Sequence, residues 1–380
     1  MNKYLVTGVN PNNSGAGYLV SYLFKNAKKH DFIIVSKNFF KYTEVNKIID
    51  FFLKVINEII FYWKIFFIRN SVVLFIHPQI TGYNKLFSLL KKNKVFLYVL
   101  DNSFFCIESY NYNKNKKIEC LRCLNSLDSC LEICRPFPNK SIKKSKNISY
   151  LRKLKIQSKK IFFLAQNLNQ EKLLKLHFGS DVKIKVVGLN TGEFSNISRN
   201  SIHPDNKEDF DIVYHGNIVE PKGILYFIRL ASSLPEYNFL VPDSLAQFNK
   251  YYDAYKLPNN LIFIKCDWQN KLRKYVSHAK LVIVPSLWSA PIEGALIKSI
   301  LYNGKVAIFD TKYGYANEIH KEANLLVLDN NILKSSAKIK KYLSSNKNRN
   351  SEKWIKNFII NCNNNNIFKI INNQLINHDK

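Results

Sequence analysis

Two stretches in the second half of the chain decide the fold: DIVYHGNIVEPKGI at residues 211–224 and VPSLWSAPIEGALIKSILYNGKV at residues 284–306. Each begins with a short run of branched or aromatic residues, passes through a loop that contains glycine, and continues into a helical pattern. A strand that leads through a turn into a helix is the repeating unit of a parallel α/β sheet. Both stretches therefore predict an open sheet whose ligand-binding edge lies where the strands end.

The same alternation runs through nearly the whole chain. Short runs of Val, Ile, Leu and Phe alternate with longer helical patterns, and such continuous apolar runs suit strands buried on both faces of a sheet. The predicted strands are Tyr4–Thr7, Phe32–Val35, Val72–His77, Val95–Leu100, Lys160–Leu164, Lys183–Val187, Asp211–His215, Asn238–Val241, Leu261–Ile264, Leu281–Pro285, Val306–Phe309 and Leu325–Leu328. We therefore expect doubly wound parallel sheets of the α/β class.

A linker is predicted between about Leu189 and Phe210, where Asn, Ser and acidic residues interrupt this rhythm. It divides the predicted strands into two groups of about six. We expect an N-terminal domain over residues 1–190 and a C-terminal domain over residues 209–350. Residues 351–380 have the apolar spacing of a further helix.

The composition limits the classes of protein to consider. Of the 380 residues, 46% are hydrophobic, so both domains can bury full cores and extensive disorder is excluded. The net charge of +29 favours anionic partners such as nucleotide phosphates, anionic lipid or nucleic acid. The alternative is a genome rich in A/T codons, which would raise the Lys and Asn content without selection for binding.

Residues 45–70 are mostly apolar and need a separate interpretation. A membrane span needs about 20 mainly apolar residues with few charges. Polar side chains interrupt this segment at Lys47, Asp50, Lys54, Asn57, Glu58 and Lys64. We expect a largely buried domain helix, and the alternative is a helix on the membrane surface. In that alternative the basic chain would bind anionic lipid peripherally, and binding would fall with salt.

The first residues give an expectation about location. Residues 1–8 have the pattern of a strand that runs into a turn, without the features of a signal peptide. We expect a cytoplasmic protein, and the basic charge extends this expectation to the inner face of the plasma membrane. The seven Cys residues would then be reduced thiols or metal ligands.

Five of these cysteines are close in sequence, within an Asn- and Lys-rich insertion of the N-terminal domain at about residues 102–150. They are Cys106, Cys120, Cys123, Cys130 and Cys134. Closely spaced thiols suit a structural Zn²⁺ ion that would staple the insertion. The alternatives are an iron–sulfur cluster, although the spacing matches no familiar one, or free thiols in a surface insertion.

A glycine-containing loop, TGVNPNNSGAGY at residues 7–18, follows the first predicted strand and precedes a helix. Gly15 and Gly17 would let the backbone approach a phosphate or a sugar, and a helix N-terminus favours negative charge. A dinucleotide site would need a third glycine where Val20 stands, so we do not expect a nicotinamide cofactor.

The second-half motifs contain two charged candidates for chemistry. Lys222 stands at a helix start, where a cation can neutralise a diphosphate leaving group. Glu293 lies in the loop after a parallel strand, where open sheets bind ligands. The plain alternatives are a solvated lysine and a glutamate that merely caps its helix.

Together the three motifs resemble the glycosyltransferases of the GT-B type, and the family 4-like (group 1) bacterial glycan-synthesis enzymes in particular. The resemblance covers most of the chain and is strongest from Ile212 to Phe309. It is carried by Gly216, Lys222, Gly223, the Pro285–Trp288 run, Pro291, Gly304 and Val306, with a supporting match at Val187–Asn190.

The resemblance implies two Rossmann-like domains that face a cleft, with the acceptor in the first domain and a nucleotide-diphosphate sugar in the second. It also implies retention of anomeric configuration, no catalytic metal, and a C-terminal helix that crosses back to the first domain. The donor-site residues that it and the motifs suggest are Gly15, Gly17, Gly216, Asn217, Lys222, Ser289, Pro291, Ile292, Glu293, Gly294, Ala295 and Lys298.

The chain departs from the family pattern at the donor site. Asn217 stands where the family has arginine, and Ala290 and Lys298 stand where it has a pair of glutamates. Lys298 cannot accept a hydrogen bond from a ribose hydroxyl, but it can pair with phosphate. Glu293 is our candidate replacement for polar contact with the donor, and Lys222 would stabilise the departing diphosphate.

The acceptor side keeps one residue of the family's His-Asp pattern. Asp101 follows a predicted strand, and the histidine that precedes it in the family is missing. Asp101 would orient the acceptor or act as a base, and the alternative is an Asx turn that ends the strand. His77 ends an earlier strand and is a second acceptor-site candidate, although a lone histidine there is more often structural.

Two functions follow. The first is a glycosyltransferase that moves a sugar from a nucleotide-sugar to a cell-surface glycan acceptor, such as a polysaccharide, lipopolysaccharide or lipid-linked chain. The second is a non-catalytic protein with a degenerate transferase fold that binds glycan, lipid or nucleic acid. No basic run interleaved with stacking aromatics matches a nucleic-acid-binding motif, so we expect no nucleic-acid partner.

Overall fold

The computed structural model describes residues 1–12, 15–37, 47–137, 142–194, 210–345 and 351–376. The chain divides into two compact units. Unit 1 comprises Met1–Ser109, Leu121–Ser195 and Asn361–Lys380, and unit 2 comprises Tyr110–Cys120 and Asn196–Ile360.

The strands are short, as continuous apolar runs bounded by turns predict. They are β1 (Lys3–Thr7), β2 (Phe32–Ser36), β3 (Val72–Ile76), β4 (Lys94–Tyr98), β5 (Tyr112–Asn113), β6 (Ile118–Glu119), β7 (Ile161–Ala165), β8 (Lys183–Val186), β9 (Ile212–Tyr214), β10 (Phe239–Val241), β11 (Leu261–Phe263), β12 (Leu281–Val284), β13 (Val306–Phe309) and β14 (Leu326–Leu328).

Helices connect most of these strands. They are α1 (Gly15–Ala27), α2 (Lys47–Phe66), α3 (Pro78–Thr81), α4 (Tyr83–Leu89), α5 (Arg122–Asn125), α6 (Lys144–Gln157), α7 (Leu168–Phe178), α8 (Ile224–Ser233), α9 (Leu245–Tyr252), α10 (Leu272–His278), α11 (Gly294–Tyr302), α12 (Tyr315–Ile319), α13 (Ile332–Ser344), α14 (Glu352–Asn364) and α15 (Ile367–Ile376).

Unit 1 is built on a six-stranded parallel sheet in the order β2-β1-β3-β4-β7-β8. All five residues of β3 are buried, because this inner strand is apolar on both faces. The strand order reverses direction between β1 and β3, so the loops after these two strands start side by side. Helix α15 also packs on this unit, where Phe368 contacts Phe32 with ring centroids 4.8 Å apart.

Unit 2 is built on a second six-stranded parallel sheet, in the order β11-β10-β9-β12-β13-β14. Its order reverses between β9 and β12. In open α/β sheets, ligands bind at the carboxyl ends of the strands at this reversal. The loops that follow β9 and β12 are the two stretches on which the sequence analysis rests. The predicted fold class, with two parallel α/β sheets, is confirmed.

The insertion is one place where the division of the chain differs from the sequence expectation. The sequence analysis put all of residues 102–150 in the N-terminal domain, whereas Tyr110–Cys120 belongs to unit 2. This segment contains the antiparallel pair β5-β6, in which Tyr112 lies opposite Glu119. It belongs to unit 2 because Tyr112 is buried in the core of that unit and neighbouring side chains hydrogen-bond to its loops.

The expectation of a largely buried helix in residues 45–70 is wrong. Among the side chains of α2 that the structure describes, from Ile49 onward, only Phe61 and Ile65 are buried hydrophobic residues, at 1% and 2% exposure. Large apolar side chains are exposed at Ile49, Phe51, Phe52, Val55, Ile56, Ile59, Ile60, Tyr62, Trp63 and Phe66. The segment is apolar on nearly all sides, and the unit covers only one of them. Among the described residues, no helix has the length and apolarity that crossing a bilayer requires.

Candidate active site

The strongest candidate site lies at the carboxyl ends of β9 and β12 in unit 2. The Lys222 ammonium forms an ion pair with the Glu293 carboxylate, which also accepts a hydrogen bond of 3.0 Å from the Ser286 hydroxyl. Lys222 comes from the loop after β9, and Ser286 and Glu293 come from the loop after β12. Two distant motifs therefore meet at the strand-order reversal of this sheet.

Aromatic rings surround the Lys222 ammonium. Its Nζ atom lies 5.0 Å from the Trp288 ring centroid and 5.7 Å from that of Tyr110. The two rings meet edge to face at 4.7 Å. Cation–π attraction and the Glu293 carboxylate therefore hold this charge in one place, although the side chain stays partly exposed.

The N-terminus of α11 opens onto the same place. Glu293 is the residue just before this nine-residue helix, and its side chain does not cap the helix. The first backbone N–H groups of a helix have no partner within the helix and carry partial positive charge. A Cβ atom built on Gly294 meets no atom within 4 Å, so open space adjoins these groups. A diphosphate would fit the combination of N–H groups, cation and space.

The loop from Gly216 to Gly223 is shaped by close backbone contacts. Gly223 adopts φ +78°, and a Cβ atom there would overlap the carbonyl oxygen of Pro285, so only glycine fits. The buried Tyr214 hydroxyl lies within hydrogen-bond distance of the carbonyl oxygens of Asn217 and Lys222, at 2.7 and 3.0 Å. Burial, with the charge of Glu293, raises the pKa of Tyr214, so the hydroxyl keeps its proton for this role.

The remaining donor-site candidates of unit 2 lie near this loop but differ in exposure. The Asn217 side chain is exposed, whereas Ser289, Pro291 and Ile292 are buried. Gly216 would place a Cβ atom 3.0 Å from the Tyr214 hydroxyl oxygen, and Ala295 lies in the first turn of α11.

Lys298, on α11, packs against an aromatic ring. It is buried at 9% exposure, and its Nζ lies 5.1 Å from the ring centroid of Trp268. Trp268 stacks on His215, whose Nδ1 lies 2.9 Å from the Ser299 hydroxyl oxygen. Burial, with the charge of Lys298, lowers the pKa of His215 to about 3. Lys298 is therefore a buried helix residue, and a phosphate contact stays a prediction.

The glycine loop of unit 1 is closed by its own backbone. A Cβ atom on Gly17 would lie 2.6 Å from the carbonyl oxygen and 2.7 Å from the nitrogen of Asn12, so this glycine accommodates the loop itself. Gly15, at the start of α1, has no atom within 4 Å of a built Cβ. Their assignment to the donor stays a prediction, with its argument weakened at Gly17.

Unit 1 brings together the two acceptor-site candidates that the sequence analysis named separately. His77 follows β3 and Asp101 follows β4, and His77 Nε2 lies 3.1 Å from Asp101 Oδ2. His77 has a left-handed backbone, with φ 54° and ψ 80°. Burial acts to raise the pKa of Asp101, but the charge of His77 and hydrogen bonds from His77 and Ser103 outweigh it and lower this pKa. The carboxylate therefore stays ionised at neutral pH.

The five clustered cysteines do not form the predicted zinc site. Within the described part of the chain, no group of three or more His, Cys, Asp or Glu side chains is arranged to hold a metal ion. Cys120 belongs to unit 2 and the other four to unit 1. The thiols of Cys123 and Cys134 lie within hydrogen-bond range of Cys130, and the bond with Cys123 raises the pKa of Cys130 to about 11.

Sequence reasoning missed several residues that build the site of unit 2. Tyr214 was quoted only as part of a strand, and Tyr110, Asn111 and Glu119 were assigned to the insertion of the other domain. For Tyr214, the signal was its place at the end of a buried strand before a glycine turn. For the other three no local signal exists, because the site residues that they contact lie more than 100 residues away along the chain.

Comparisons with known proteins agree with this architecture. Residues 197–359 match the family model described as "Glycosyl transferases group 1". A search of curated protein sequences returned no match. Solved structures align over nearly the whole chain, but at sequence identities that bear on the fold alone.

Sucrose-phosphate synthase from Thermosynechococcus elongatus has 12% identity and a TM-score of 0.63, with 99% of this chain and 98% of that chain covered. A UDP-forming α,α-trehalose-phosphate synthase from Burkholderia vietnamiensis has 7% identity and a TM-score of 0.58, covering 100% and 99%. A glycosyltransferase from Rickettsia africae ESF-5 has 14% identity and a TM-score of 0.54, covering 98% and 97%.

The two parallel sheets and the matched structures show the GT-B fold. Residues 197–359 match the glycosyl transferases group 1 family, and the chain is a glycosyltransferase. That family uses nucleotide-sugar donors.

Proposed function

We propose that this glycosyltransferase moves a sugar from a nucleotide-diphosphate donor, bound at the Lys222–Glu293 pair, to a cell-surface glycan or its lipid-linked precursor, with retention of configuration. The observation that carries the donor site is the convergence of Lys222 with the uncapped N-terminus of α11. A cation, free N–H groups and open space beside Gly294 are what a diphosphate requires.

The proposed role of Lys222 is to stabilise the leaving group. Negative charge builds on the diphosphate as the glycosidic bond breaks, so a fixed cation there favours the transition state over the ground state. In the unliganded site, Glu293 and the Trp288 and Tyr110 rings keep the ammonium oriented. When the diphosphate binds, it would share the ammonium with Glu293, whose carboxylate would then accept a hydrogen bond from the donor sugar.

The acceptor would be oriented by Asp101 in unit 1. Its carboxylate is ionised and held by His77 and by the backbone N–H of Ser103, at 2.9 Å. A fixed carboxylate can accept a hydrogen bond from a sugar hydroxyl and so set the direction of its oxygen. In a retaining transfer, the departing phosphate accepts the hydroxyl proton, and Asp101 supplies orientation.

Asp101→Asn tests that role. It keeps the side-chain shape and removes the charge, and we expect turnover with the acceptor to fall by about 10- to 100-fold. Affinity for the free nucleotide should stay at the wild-type value. Wild-type turnover in this variant would exclude Asp101 from the acceptor site.

A lipid-linked acceptor would require contact with a membrane, and α2 supplies a candidate surface. Its exposed face carries Phe51, Phe52, Trp63 and Phe66 beside Lys54, Lys64 and Arg69. Aromatic and aliphatic residues with flanking cations suit an anionic bilayer surface. We expect binding to anionic vesicles that falls with salt and that is lost in a Phe52→Ser/Trp63→Ser variant.

A matched control tests whether vesicle binding depends on α2 or on any exposed apolar side chain. Ile156 on α6 is 81% exposed, so Ile156→Ser removes an exposed apolar side chain elsewhere in unit 1. This variant should bind vesicles like the wild type. Equal binding of the wild type to neutral and anionic vesicles would contradict the proposed membrane contact.

The proposed donor chemistry is tested by a ligand screen on the purified chain. UDP and GDP, and a panel of their sugar conjugates, are compared for thermal stabilisation and for hydrolysis or transfer. We expect at least one diphosphate to raise the melting temperature and its sugar conjugate to be cleaved. Binding without any cleavage or transfer would favour the non-catalytic alternative, and no binding would overturn the donor-site assignment.

A further inference from the structure

The hairpin Tyr110–Cys120, which contains β5 and β6, contacts the loops of unit 2 that form the proposed donor site. It is the one part of unit 2 that precedes the linker, since residues 1–109 and 121–195 belong to unit 1. Asn111 and Tyr112 are buried, at 0% and 4% exposure. Burial of this degree indicates that the short hairpin packs at a specific place on unit 2 rather than forming a loose surface loop.

Asn111 binds the loop after β12 at both ends of its carboxamide. Its Nδ2 donates to the Ser289 hydroxyl at 2.8 Å, and its Oδ1 accepts the Ser289 backbone N–H at 3.1 Å. In the sequence, Ser289 stands between Ser286 and Glu293; the Ser286 hydroxyl bonds to the Glu293 carboxylate, which pairs with Lys222. Two bonds to one residue fix both the backbone and the side chain at that point of the loop.

Glu119 joins this loop to the next one. Its carboxylate accepts a hydrogen bond from the Ser289 hydroxyl. It also accepts hydrogen bonds from the backbone N–H groups of Lys312 and Tyr313, at 2.8 and 3.2 Å. Lys312 and Tyr313 follow β13. Hydrogen bonds to a charged group are stronger than neutral ones, so this carboxylate ties the two loops firmly together.

The hairpin also reaches the loop after β9. The Tyr112 hydroxyl donates to Glu220 Oε1 at 3.1 Å, two residues before Lys222, and the edge of Tyr110 lies against Trp288 beside the Lys222 ammonium. Strands β9, β12 and β13 are neighbours in the sheet. The hairpin thus holds the loops at the carboxyl ends of three adjacent strands.

We propose that Asn111 and Glu119 are positioning residues that fix the Ser289 loop, and through it Glu293, in the geometry that binds the donor diphosphate. This inference rests on the proposed function, because it takes the Lys222–Glu293 site to be the donor site. Neither residue touches the donor in this account. Their effect is on nucleotide affinity and on the order of the loop.

Glu119→Gln is the first test. An amide has one acceptor oxygen, and its NH₂ group would face a donor where the carboxylate accepted a bond. We expect UDP or GDP, whichever binds the wild type, to bind about 10-fold more weakly. Hydrogen exchange of the Ser289, Lys312 and Tyr313 amides should be faster. Lys116→Ala, at the exposed tip of the same hairpin, should change both readouts less than twofold.

A double-mutant cycle separates positioning from general destabilisation. Asn111→Ala and Ser289→Ala each remove the shared hydroxyl–amide bond, so the double variant should lose less nucleotide affinity than the sum of the two. Ser289→Thr keeps the hydroxyl and should retain most of the affinity. Additive losses, or failure of Ser289→Thr to retain affinity, would contradict a role that runs through this bond.

The hydrogen-exchange measurement distinguishes failure of the positioning role from failure of the donor-site assignment. Wild-type exchange at the three amides in Glu119→Gln overturns the positioning role, whatever the ligand. Faster exchange in a chain that binds neither UDP nor GDP supports the hairpin as the element that orders the loop and overturns the donor assignment. Faster exchange with unchanged nucleotide affinity overturns the link between loop order and donor binding.

Discussion

Both units have a six-stranded parallel sheet, although the strand orders differ, and the two units differ in what lies beside the start of a glycine-containing helix. In unit 1 nothing lies within 4 Å of a Cβ atom on Gly15, the first residue of α1, but the backbone of Asn12 packs against Gly17 two residues later. In unit 2 nothing lies within 4 Å of a Cβ atom on Gly294, and Lys222 and Glu293 stand beside it. Both helix starts have open space beside their first residue, so the two motifs differ in the charged pair beside Gly294 and in the loop that packs against Gly17.

The largest expected effect comes from removing a charge from the pair beside Gly294. Lys222→Ala removes the cation from the proposed diphosphate site, and loss of one such partner typically lowers turnover on the order of 100- to 1000-fold. Single-turnover kinetics with the identified nucleotide-sugar measures it. Lys25→Ala, a basic residue in the last turn of α1, is the control and should retain wild-type turnover. A Lys222→Ala rate within a fewfold of the wild type would remove Lys222 from the mechanism.

The second prediction concerns the closed glycine of unit 1. Gly17→Ala forces the Asn12 segment to move, so we expect a loss of about 1–3 kcal/mol in the free energy of unfolding. Gly294→Ala enters open space and should leave that free energy nearly unchanged. Denaturant unfolding of both variants measures the difference. Equal stability of the two variants would show that the contrast between the glycines is not real.

The third prediction compares a buried histidine in each unit. Burial lowers the pKa of His177 to about 4 and that of His215 to about 3, from 6.5. Below about pH 6.5 the unfolded chain binds protons that the folded chain excludes. The contribution of these histidines to the free energy of unfolding is therefore fully present above pH 6.5. It falls by up to ~1.4 kcal/mol per pH unit for each histidine as the pH drops.

Histidine variants show how much of this dependence of the unfolding free energy on pH comes from each unit. His177→Gln and His215→Gln should each flatten the dependence of unfolding free energy on pH between 6.5 and 5 by about one proton, although both variants are less stable at pH 7. Denaturant titrations at several pH values measure the slopes. A slope equal to that of the wild type would mean that the histidine concerned is protonated in the folded chain.

The smallest expected effect concerns Lys298. Lys298→Met keeps the apolar stem against Trp268 and removes the charge. Because Lys298 lies over Trp268 rather than in the open space beside Gly294, we expect nucleotide affinity to change less than twofold. Calorimetric titration measures this affinity. A loss of tenfold or more would restore Lys298 as a phosphate contact.

The fold was predictable because most of its strands carry their own signal. Strands such as Val72–Ile76 are apolar on both faces, and each predicted run overlaps an observed strand. Helix α2 was not predictable in the same way. Its sequence shows that it is apolar on nearly all sides, but burial depends on how much of it a neighbouring surface covers.

The site was predictable only in part. Lys222 and Glu293 could be named because each follows a strand at the sheet reversal, and the structure pairs them. The pairing of His77 with Asp101 follows from the adjacency of β3 and β4, which the sequence does not state. Asn111 and Glu119 could not be identified as residues of this site, because no local sequence pattern shows that their hairpin packs on the loops of unit 2.

The most direct test of the central claim is nucleotide binding to a chain whose proposed phosphate space has been filled. Gly294→Val adds side-chain atoms where a Cβ meets nothing, so the fold should be kept while the diphosphate is excluded. Calorimetry with UDP and GDP should show binding to the wild type and loss of at least 100-fold in affinity for Gly294→Val, with an unchanged melting temperature without ligand. Wild-type affinity in the folded variant would contradict the account, because the diphosphate would then lie elsewhere.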